Sequence, residues 1–380
     1  MSEFLLNEVC ELIVDCPHTT AKDEGEGFPL VRTPNIGKGR LVYDGMHRVC
    51  EDVYNKRNAR AIPQENDLIF AREATAGNVA LIQKGEKVCL GQRTVLIRPN
   101  QEMVNPAFLT YFLLAPKQQY NLLSTANGAT VAHVNLPTIR NLKIDLPELS
   151  TQHRIATILS RYDSLIENYQ KQIKLLEEAA QRLYKEWFVD RNFPDHENTR
   201  IVDGVPEGWT PSKLGQLAEF KRGKTITRKE VIEGDVPVVA GGLEPAYFCN
   251  KSNTAERVIT VSGSGANAGF TRMYFEKVWA SDCSYVDKAT TSYLHFAYCF
   301  LKDNKTTIDN MQKGAAQPHV YAKDINLLEI CIPTEGVLKS FEKKASKYFG
   351  TISSLQSQIR LLAEARDRLL PKLMSGEIKS

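Results

Sequence analysis

Three short stretches of the chain could be taken for cofactor-binding motifs, and each fails in its context. Residues 263–269, GSGANAG, have the glycines of a dinucleotide loop, but the following FTRMYF has the pattern of a strand, not of the required helix. Residues 223–225, GKT, could end a phosphate loop, but the glycine required at position 218 is Ala218. Residues 105–108, NPAF, lack the second proline of an amino-methyltransferase motif and have the pattern of a helix N-terminus capped at Asn105. With no convincing nuclease or nucleophile-elbow pattern either, the sequence favours a chain without catalytic residues.

Side chains suited to nucleic acid are concentrated in two parts of the chain. Lys and Arg neutralise phosphates, and Arg, Asn and Gln bind base edges bidentately. The candidates in the first part are Arg32, Asn35, Lys38, Arg40, Arg72, Thr75, Asn78, Gln92 and Arg93. Those in the second part are Lys221, Arg222, Lys224, Ser262, Ser264, Asn267 and Arg272. For any single residue, ordinary solvated surface is the alternative interpretation.

Composition sets loose limits. The chain has 380 residues and a net charge of +3, which neither requires nor excludes nucleic acid. No stretch approaches the roughly eighteen apolar residues of a membrane span, and the N-terminus lacks the basic region of a signal peptide. The eight cysteines form no Cys-x-x-Cys pair and no zinc-spaced cluster with histidine. We therefore expect a cytoplasmic protein with reduced cysteines and no bound metal.

The chain contains an internal duplication. Residues 128–135, GATVAHVN, return as GAAQPHVY at 314–321, an offset of 186 residues (314 − 128). This offset holds without a gap from 128 to 183, whereas Pro29 and Pro237 lie 208 residues apart, so the front regions differ by 22 residues (208 − 186). We interpret the similar back regions as performing the same function in both copies. The diverged front regions are interpreted as performing two different functions. The repeated His133 and His319 are predicted to pack or lock a turn rather than to catalyse.

The back regions have the pattern of long helices. Apolar residues recur at alternating steps of four and three, which is typical of a coiled coil. The predicted seam contains Ile155, Leu159, Tyr162, Ile166, Tyr169, Ile173, Leu176 and Leu183, then Phe341, Tyr348, Ile352, Leu355, Ile359, Leu362 and Leu369. Arg366 interrupts it, and Pro371 is expected to kink or end the second helix. Each helix packing on its own domain is the alternative arrangement.

These patterns predict an α+β chain. Two mixed, strand-rich domains alternate with two long helices that form an antiparallel coiled coil, and a pseudo-twofold axis relates the two copies. The first helix would span roughly 50 Å and hold the two domains apart. The expected boundaries are 1–150 and 191–336 for the domains, the second including a turn-rich linker, and 151–190 and 337–380 for the helices. Short helices are expected at 106–115 and 292–302.

Four segments carry a resemblance to a known family. They are RLYKEWF at 182–188, VPEGW at 205–209, GATVAHVNLPTIRNLKIDLP from 128, and LMSGEI at 373–378. Together they make nearly the whole chain similar to the DNA-specificity subunit of a type I restriction–modification system. The first copy departs from the pattern because it lacks the Pro-Glu-Gly-Trp lead-in.

The resemblance implies a non-catalytic chain with two target-recognition domains, each reading half of a bipartite duplex DNA site. It implies that the helices dock two modification subunits, which bring S-adenosylmethionine and an adenine-methylating site. Restriction subunits would add ATP- and Mg-dependent translocation and cleavage. No cofactor is expected on this chain itself.

Two other functions compete with a DNA reader. A coiled-coil scaffold whose domains bind proteins would show no salt-dependent duplex binding. An enzyme with a site around Asp282-Cys283-Ser284 would turn over substrate as the isolated chain.

Overall fold

The computed structural model describes residues 2–124, 133–312 and 318–378. They form two compact units. Unit 1 comprises Met1–Glu167 with Arg360–Ser380, and unit 2 comprises Asn168–Ile359. Both unit boundaries fall inside the long helices, so each unit contains a front domain and a part of each helix.

Unit 1 is mixed in structure. Its strands are β1 Ser2–Leu5, β2 Cys10–Asp15, β3 Phe28–Val31, β4 His47–Val49, β5 Leu68–Ala71, β6 Val79–Leu81, β7 Cys89–Leu90, β8 Thr94–Pro99 and β9 Lys143–Leu146. Its short helices are α1 Glu51–Arg57, α2 Pro106–Leu114, α3 Pro116–Ser124 and α4 Leu136–Arg140. The long helix α5 covers Leu149–Tyr184 and continues as a π-helical turn, Lys185–Val189.

Unit 2 repeats this order of elements. Its strands are β10 Ile201–Val202, β11 Val205–Pro206, β12 Thr210–Lys213, β13 Lys221–Arg222, β14 Val236–Val239, β15 Tyr247–Cys249, β16 Val258–Ser262, β17 Thr271–Tyr274, β18 Trp279–Ala280, β19 Cys283–Asp287 and β20 Glu329–Ile332. Its short helices are α6 Leu214–Leu217, α7 Leu294–Asp303, α8 Lys305–Asn310 and α9 Ala322–Asn326, and the second long helix is α10 Glu335–Ser375.

The two units share one sheet topology. The order β2-β8-β5-β6 in unit 1 corresponds to β13-β19-β16-β17 in unit 2, and β4-β3-β7 corresponds to β15-β14-β18. In unit 1, β1 pairs with β9, the strand before α5, with Ser2 opposite Leu146. In unit 2, β12 pairs in the same way with β20, the strand before α10, with Thr210 opposite Ile332. These registers reproduce both sequence offsets, 208 (210 − 2) and 186 (332 − 146). The duplication predicted from the sequence is confirmed.

The length difference between the units accumulates mainly in two connections. The offset between equivalent strands falls from 208 at β3 and β14 (236 − 28) to 200 at β4 and β15 (247 − 47). It then falls to 191 at the ends of β5 and β16 (262 − 71), because unit 2 lacks the stretch that forms α1. Sheet strands resist insertion because a one-residue slip turns buried side chains outward, whereas loops tolerate it. The units therefore differ where a common framework presents its loops.

The long helices pack against each other within each unit. In unit 1 the buried Leu159, near the start of α5, shares a core with Leu370 and Leu373, near the end of α10. In unit 2 the end of α5 meets the start of α10, and the rings of Trp187 and Phe341 lie 6.0 Å apart. The helices therefore run antiparallel, as the sequence predicts.

The seam residues differ in burial along the helices. Five are buried, namely Ile155, Leu159, Phe341, Ile352 and Leu355. The others are half-buried, namely Tyr162, Ile166, Tyr169, Ile173, Leu176, Leu183, Tyr348, Ile359, Leu362 and Leu369. Arg366 is accommodated because its Nη1 donates to Asp163 Oδ1 at 2.5 Å. Pro371 does not end α10, which continues to Ser375.

The short helix predicted at Asn105 is confirmed with its cap. The side-chain oxygen of Asn105 accepts a hydrogen bond from the amide of Phe108 at 2.9 Å, which satisfies one of the free donors at the start of α2. Pro106 at the first helical position has no amide hydrogen to satisfy. The NPAF segment is thus a helix start, as its sequence context indicated.

Candidate nucleic-acid interface

Arg72, just after β5, is the centre of a polar network in unit 1. Its Nη1 lies 2.7 Å from Asp15 Oδ2, and its Nε donates to the carbonyl of Val134 at 2.9 Å. The other guanidinium nitrogen is 2.9 Å from His133 Nε2, and His133 Nδ1 is 2.7 Å from Glu73 Oε1. The described part of the repeated segment is thus tied to the end of the central strand. This geometry agrees with the predicted locking role of His133, whereas the start of the repeated phrase lies outside the described residues.

Several DNA-contact candidates in unit 1 hydrogen-bond to backbone groups of neighbouring loops. The amide nitrogen of Asn35 donates to Val42 O at 3.1 Å, and that of Asn78 donates to Ile36 O at 2.9 Å. The Thr75 hydroxyl donates to Thr33 O at 2.7 Å. These bonds join the loop after β3 to the loop after β5. The side chains therefore shape the loops, and their contact with DNA stays a prediction.

The basic candidates of unit 1 differ in how far they are engaged. Lys38 is exposed and Arg40 half-buried, in the same loop after β3. Arg32 donates to Gly45 O at 3.2 Å, and Arg93 pairs with Glu73 at 2.8 Å while remaining 57% exposed. Gln92 donates to His18 O at 2.8 Å. Lys38 and Arg40 are thus the positions best placed to meet an external phosphate.

In unit 2 the basic candidates lie at a sheet edge. Lys221 and Arg222 form the short edge strand β13, and Lys224 follows it; all three are exposed. Edge strands that carry charges avoid pairing with other chains, so solubility is the structural alternative for these cations. Arg272 differs because it pairs with Glu244 at 3.3 Å and donates to Leu243 O at 2.8 Å.

The Gly-rich loop of unit 2 is held by its own polar side chains. Ser262 donates to Gly241 O at 3.1 Å, and Asn267 donates to the same carbonyl at 3.5 Å. The Ser264 hydroxyl donates to Asp282 Oδ2. The strand predicted after this loop is confirmed as β17, which excludes the dinucleotide motif.

The helices carry a second surface that the seam pattern does not reveal. Leu175 in unit 2 and Leu361 in unit 1 are related by the 186-residue offset (361 − 175), and they are 62% and 60% exposed. Each is followed on the same helix face by an ion pair, Glu178–Arg182 at 3.7 Å and Glu364–Arg368 at 2.5 Å. The exposed leucine and its ion pair therefore recur at equivalent positions of the two helices, which gives the chain two matching surfaces. This surface could have been predicted from the sequence by comparing residues outside the seam at the 186-residue offset.

The possible catalytic triplet has the wrong chemistry for a nucleophile. Burial raises the pKa of the Cys283 thiol to about 12, and the neighbouring Asp282 raises it further in the same direction. A nucleophilic cysteine needs the opposite shift. Ser284 is 3% exposed within β19. The triplet is strand structure, not a reactive site.

The described residues contain no cluster of three or more His, Cys, Asp or Glu side chains that could hold a metal ion. Among their helices, none combines the length and apolar character needed to span a bilayer.

Known proteins resemble this chain over nearly its whole length. The family model for the type I restriction modification DNA specificity domain matches residues 1–178 and 206–352. The MjaIX specificity subunit of Methanocaldococcus jannaschii, a type I restriction enzyme subunit, is 26% identical and covers 96% of this chain and 90% of its own length. The HindI specificity subunit of Haemophilus influenzae is 23% identical over 75% of this chain and 80% of the relative.

A solved structure shows the same fold. The crystal structure of the type I restriction–modification S subunit from M. genitalium superposes with a TM-score of 0.58 at 18% identity, covering 98% of this chain and 95% of that one. The family match, the relatives and the two-unit fold agree with one another. The chain therefore belongs to the type I restriction–modification DNA specificity family, in which it serves non-catalytic recognition of a DNA target.

Proposed function

We propose that each unit reads one half of a bipartite DNA site. The supporting observation is that the units share strand pairing to the register, whereas their length differences fall mainly in the connections between β3 and β5 and between β14 and β16. A common framework with different loops suits two different half-sites. Relatives named as specificity subunits support the same assignment.

In this proposal the candidate residues divide into two groups. Exposed or half-buried cations neutralise phosphates, with Lys38 and Arg40 in unit 1 and Lys221, Arg222 and Lys224 in unit 2. The buried and half-buried amides and hydroxyls fix the loops that present base-reading groups. Base specificity then depends on loop conformation as much as on residue type.

We further propose that the chain docks two identical modification subunits. The repeated surface around Leu175 and Leu361 supports two equivalent sites, because identical partners require matching surfaces. Those partners would carry S-adenosylmethionine and methylate adenine, and restriction subunits would use ATP and Mg. A chain that directs such enzymes to genomic DNA would act in the cytoplasm.

The test is methylation-sensitive long-read sequencing of genomic DNA from cells with and without the gene. We expect one adenine-methylated motif, made of two half-sites with a fixed gap, to disappear on deletion. Complementation with the intact gene should restore the motif, whereas a frameshifted copy should not. Unchanged methylation beside an actively transcribed modification gene would contradict the proposal.

A further inference from the structure

Unit 2 contains a cavity at the strand end where unit 1 holds an arginine. The cavity measures about 530 Å³. Its lining includes Arg222, Gly263, Asp282, Ser284, His319, Tyr321 and Lys323. All of these residues belong to unit 2, and they come from β13, the Gly-rich loop, β19 and the segment before and within α9.

Backbone hydrogen bonds establish that Gly263 is the counterpart of Arg72. The amide of Val134 donates to Arg72 O at 3.0 Å, and that of Val320, 186 residues later (320 − 134), donates to Gly263 O at 3.1 Å. In unit 1 this position carries the Arg72 side chain, which is 8% exposed and bonded on all sides. In unit 2 the position has no side chain, and the carbonyl oxygen and Oδ1 of Asp282 lie 3.2 Å from where a Cβ atom would be.

A second pair of backbone bonds makes Arg222 the counterpart of Asp15. Cys16 follows Asp15 and Gly223 follows Arg222. The backbone amide of each donates to the carbonyl of the first residue of the neighbouring strand, β8 in unit 1 and β19 in unit 2. These bonds are Cys16 N to Thr94 O at 3.1 Å and Gly223 N to Cys283 O at 2.8 Å. Unit 1 thus closes the site with its own ion pair. At the two counterpart positions, unit 2 has Arg222 in place of Asp15, and Gly263, which has no side chain, in place of Arg72.

The charges around this cavity favour the binding of an anion. Arg222 and Lys323 bring two cations, both on exposed residues. The one acid of the lining, Asp282, accepts the Ser264 hydroxyl. The His319 and Tyr321 rings are nearly parallel, 5.9 Å apart at 9°, and form a flat aromatic wall beside the cations.

We infer that this cavity binds a backbone phosphate of the DNA target together with its flanking sugars, and that unit 1 makes no equivalent contact. The inference rests on the proposed function because it assigns one phosphate contact to one half-site. A phosphodiester fits better than a cation or an uncharged group, since the two cations Arg222 and Lys323 outnumber the single carboxylate of the lining, Asp282. Arginine and lysine are the usual phosphate partners in such interfaces.

The test compares salt-dependent binding of the full complex to a duplex containing the methylated motif. We expect Arg222→Gln to weaken binding about fivefold at 0.15 M salt and to lower the slope of log K against log salt by about 0.9, the contribution of one phosphate. Lys288→Gln is the matched control, because Lys288 follows the opposite end of β19 and pairs with Glu256 at 3.4 Å. The control should keep the wild-type slope.

A second variant tests the cavity itself. Arg222→Asp combined with Gly263→Arg gives unit 2 the ion pair of unit 1, and we expect the same loss of slope although the number of cations is unchanged. A wild-type slope in both this variant and Arg222→Gln would overturn the inference while leaving DNA recognition intact. If the complex bound free ATP, and Arg222→Gln abolished that binding without changing the salt slope for DNA, the inference would also be overturned. A wild-type complex that binds no duplex would refute the proposed function instead.

Discussion

The half-buried ion pair between Asp163 and Arg366 is an asymmetry inside an otherwise repeated helix pair. The positions related to them by the 186-residue offset are Phe349 (163 + 186) and Ala180 (366 − 186), both buried and apolar. Asp163 also accepts the Tyr111 hydroxyl at 2.5 Å, and burial followed by the Asp163 charge raises the pKa of Tyr111. The charged pair is therefore a local solution to Arg366 and is not required by the repeat.

We predict that Asp163→Ala destabilises unit 1 by about 3 kcal/mol, because it leaves the largely buried Arg366 without its main partner. Replacing both residues by their unit 2 counterparts, as Asp163→Phe with Arg366→Ala, should return stability to within about 1.5 kcal/mol of the wild type. Urea denaturation followed by fluorescence would measure both. If the single and double variants were equally unstable, the pair would not be the source of the effect.

Buried thiols make stability depend on alkaline pH. Burial raises the pKa of Cys89 to about 11 and that of Cys10 to about 12 from an ordinary value of 9.0. Because the unfolded chain loses these protons first, the stabilising contribution is complete below pH 9 and is lost as pH rises towards the folded values. We expect a drop of about 2 kcal/mol per such thiol between pH 8 and pH 10.5.

Denaturation curves at those two pH values provide the measurement. Cys89→Ala should remove part of the difference, whereas Cys50→Ala should leave it unchanged because Cys50 is exposed. Equal pH dependence in the two variants would show that buried thiols do not govern it.

At the scale of elements, the repeated helix surface predicts partner stoichiometry. We expect Leu175→Asp or Leu361→Asp alone to reduce the bound modification subunits from two to one, and the double variant to bind none. Each change places a charge where an apolar contact would form. Native mass spectrometry of the assembled complex counts the subunits directly.

The control for this experiment is Leu165→Asp. Leu165 is 39% exposed on the same helix, and its repeat counterpart at 351 (165 + 186) is Thr351, so it belongs to no repeated surface. Two modification subunits should remain bound to this variant. Loss of partners here as well would point to general helix damage instead.

The strands and helices could be predicted from the sequence more reliably than the roles of individual side chains. Strands such as Phe28–Val31, the capped α2 and the antiparallel helices follow from local pattern and from the repeat offset. The partner of Arg72 could not be inferred, because Asp15 and His133 lie 57 and 61 residues away along the chain. Residue type alone does not distinguish an arginine that holds a loop from one that contacts phosphate. The candidate site predicted from the sequence therefore contains arginines of both kinds.

The whole molecule predicts independent reading of the half-sites. We expect exchange of residues 1–150 for those of a homologue with a different target to change one half-site of the methylated motif and to leave the other intact. The exchanged segment contains both β1 and β9, so the strand pairing between them is preserved. Long-read sequencing of methylated DNA reads the outcome, and a change in both halves would refute independent reading.

Unit 1 is discontinuous in the chain, and this affects how the protein is made. The helix segment that completes it, from Arg360 onward, is separated from Glu167 by the 192 residues of unit 2. At typical elongation rates the ribosome needs about 10–40 s to synthesise that interval. During this time Ile155 and Leu159 have no Leu370 or Leu373 to cover them. The nascent chain therefore exposes a hydrophobic helix face to chaperones until its last residues emerge, and a message truncated near its end yields a unit 1 that cannot close.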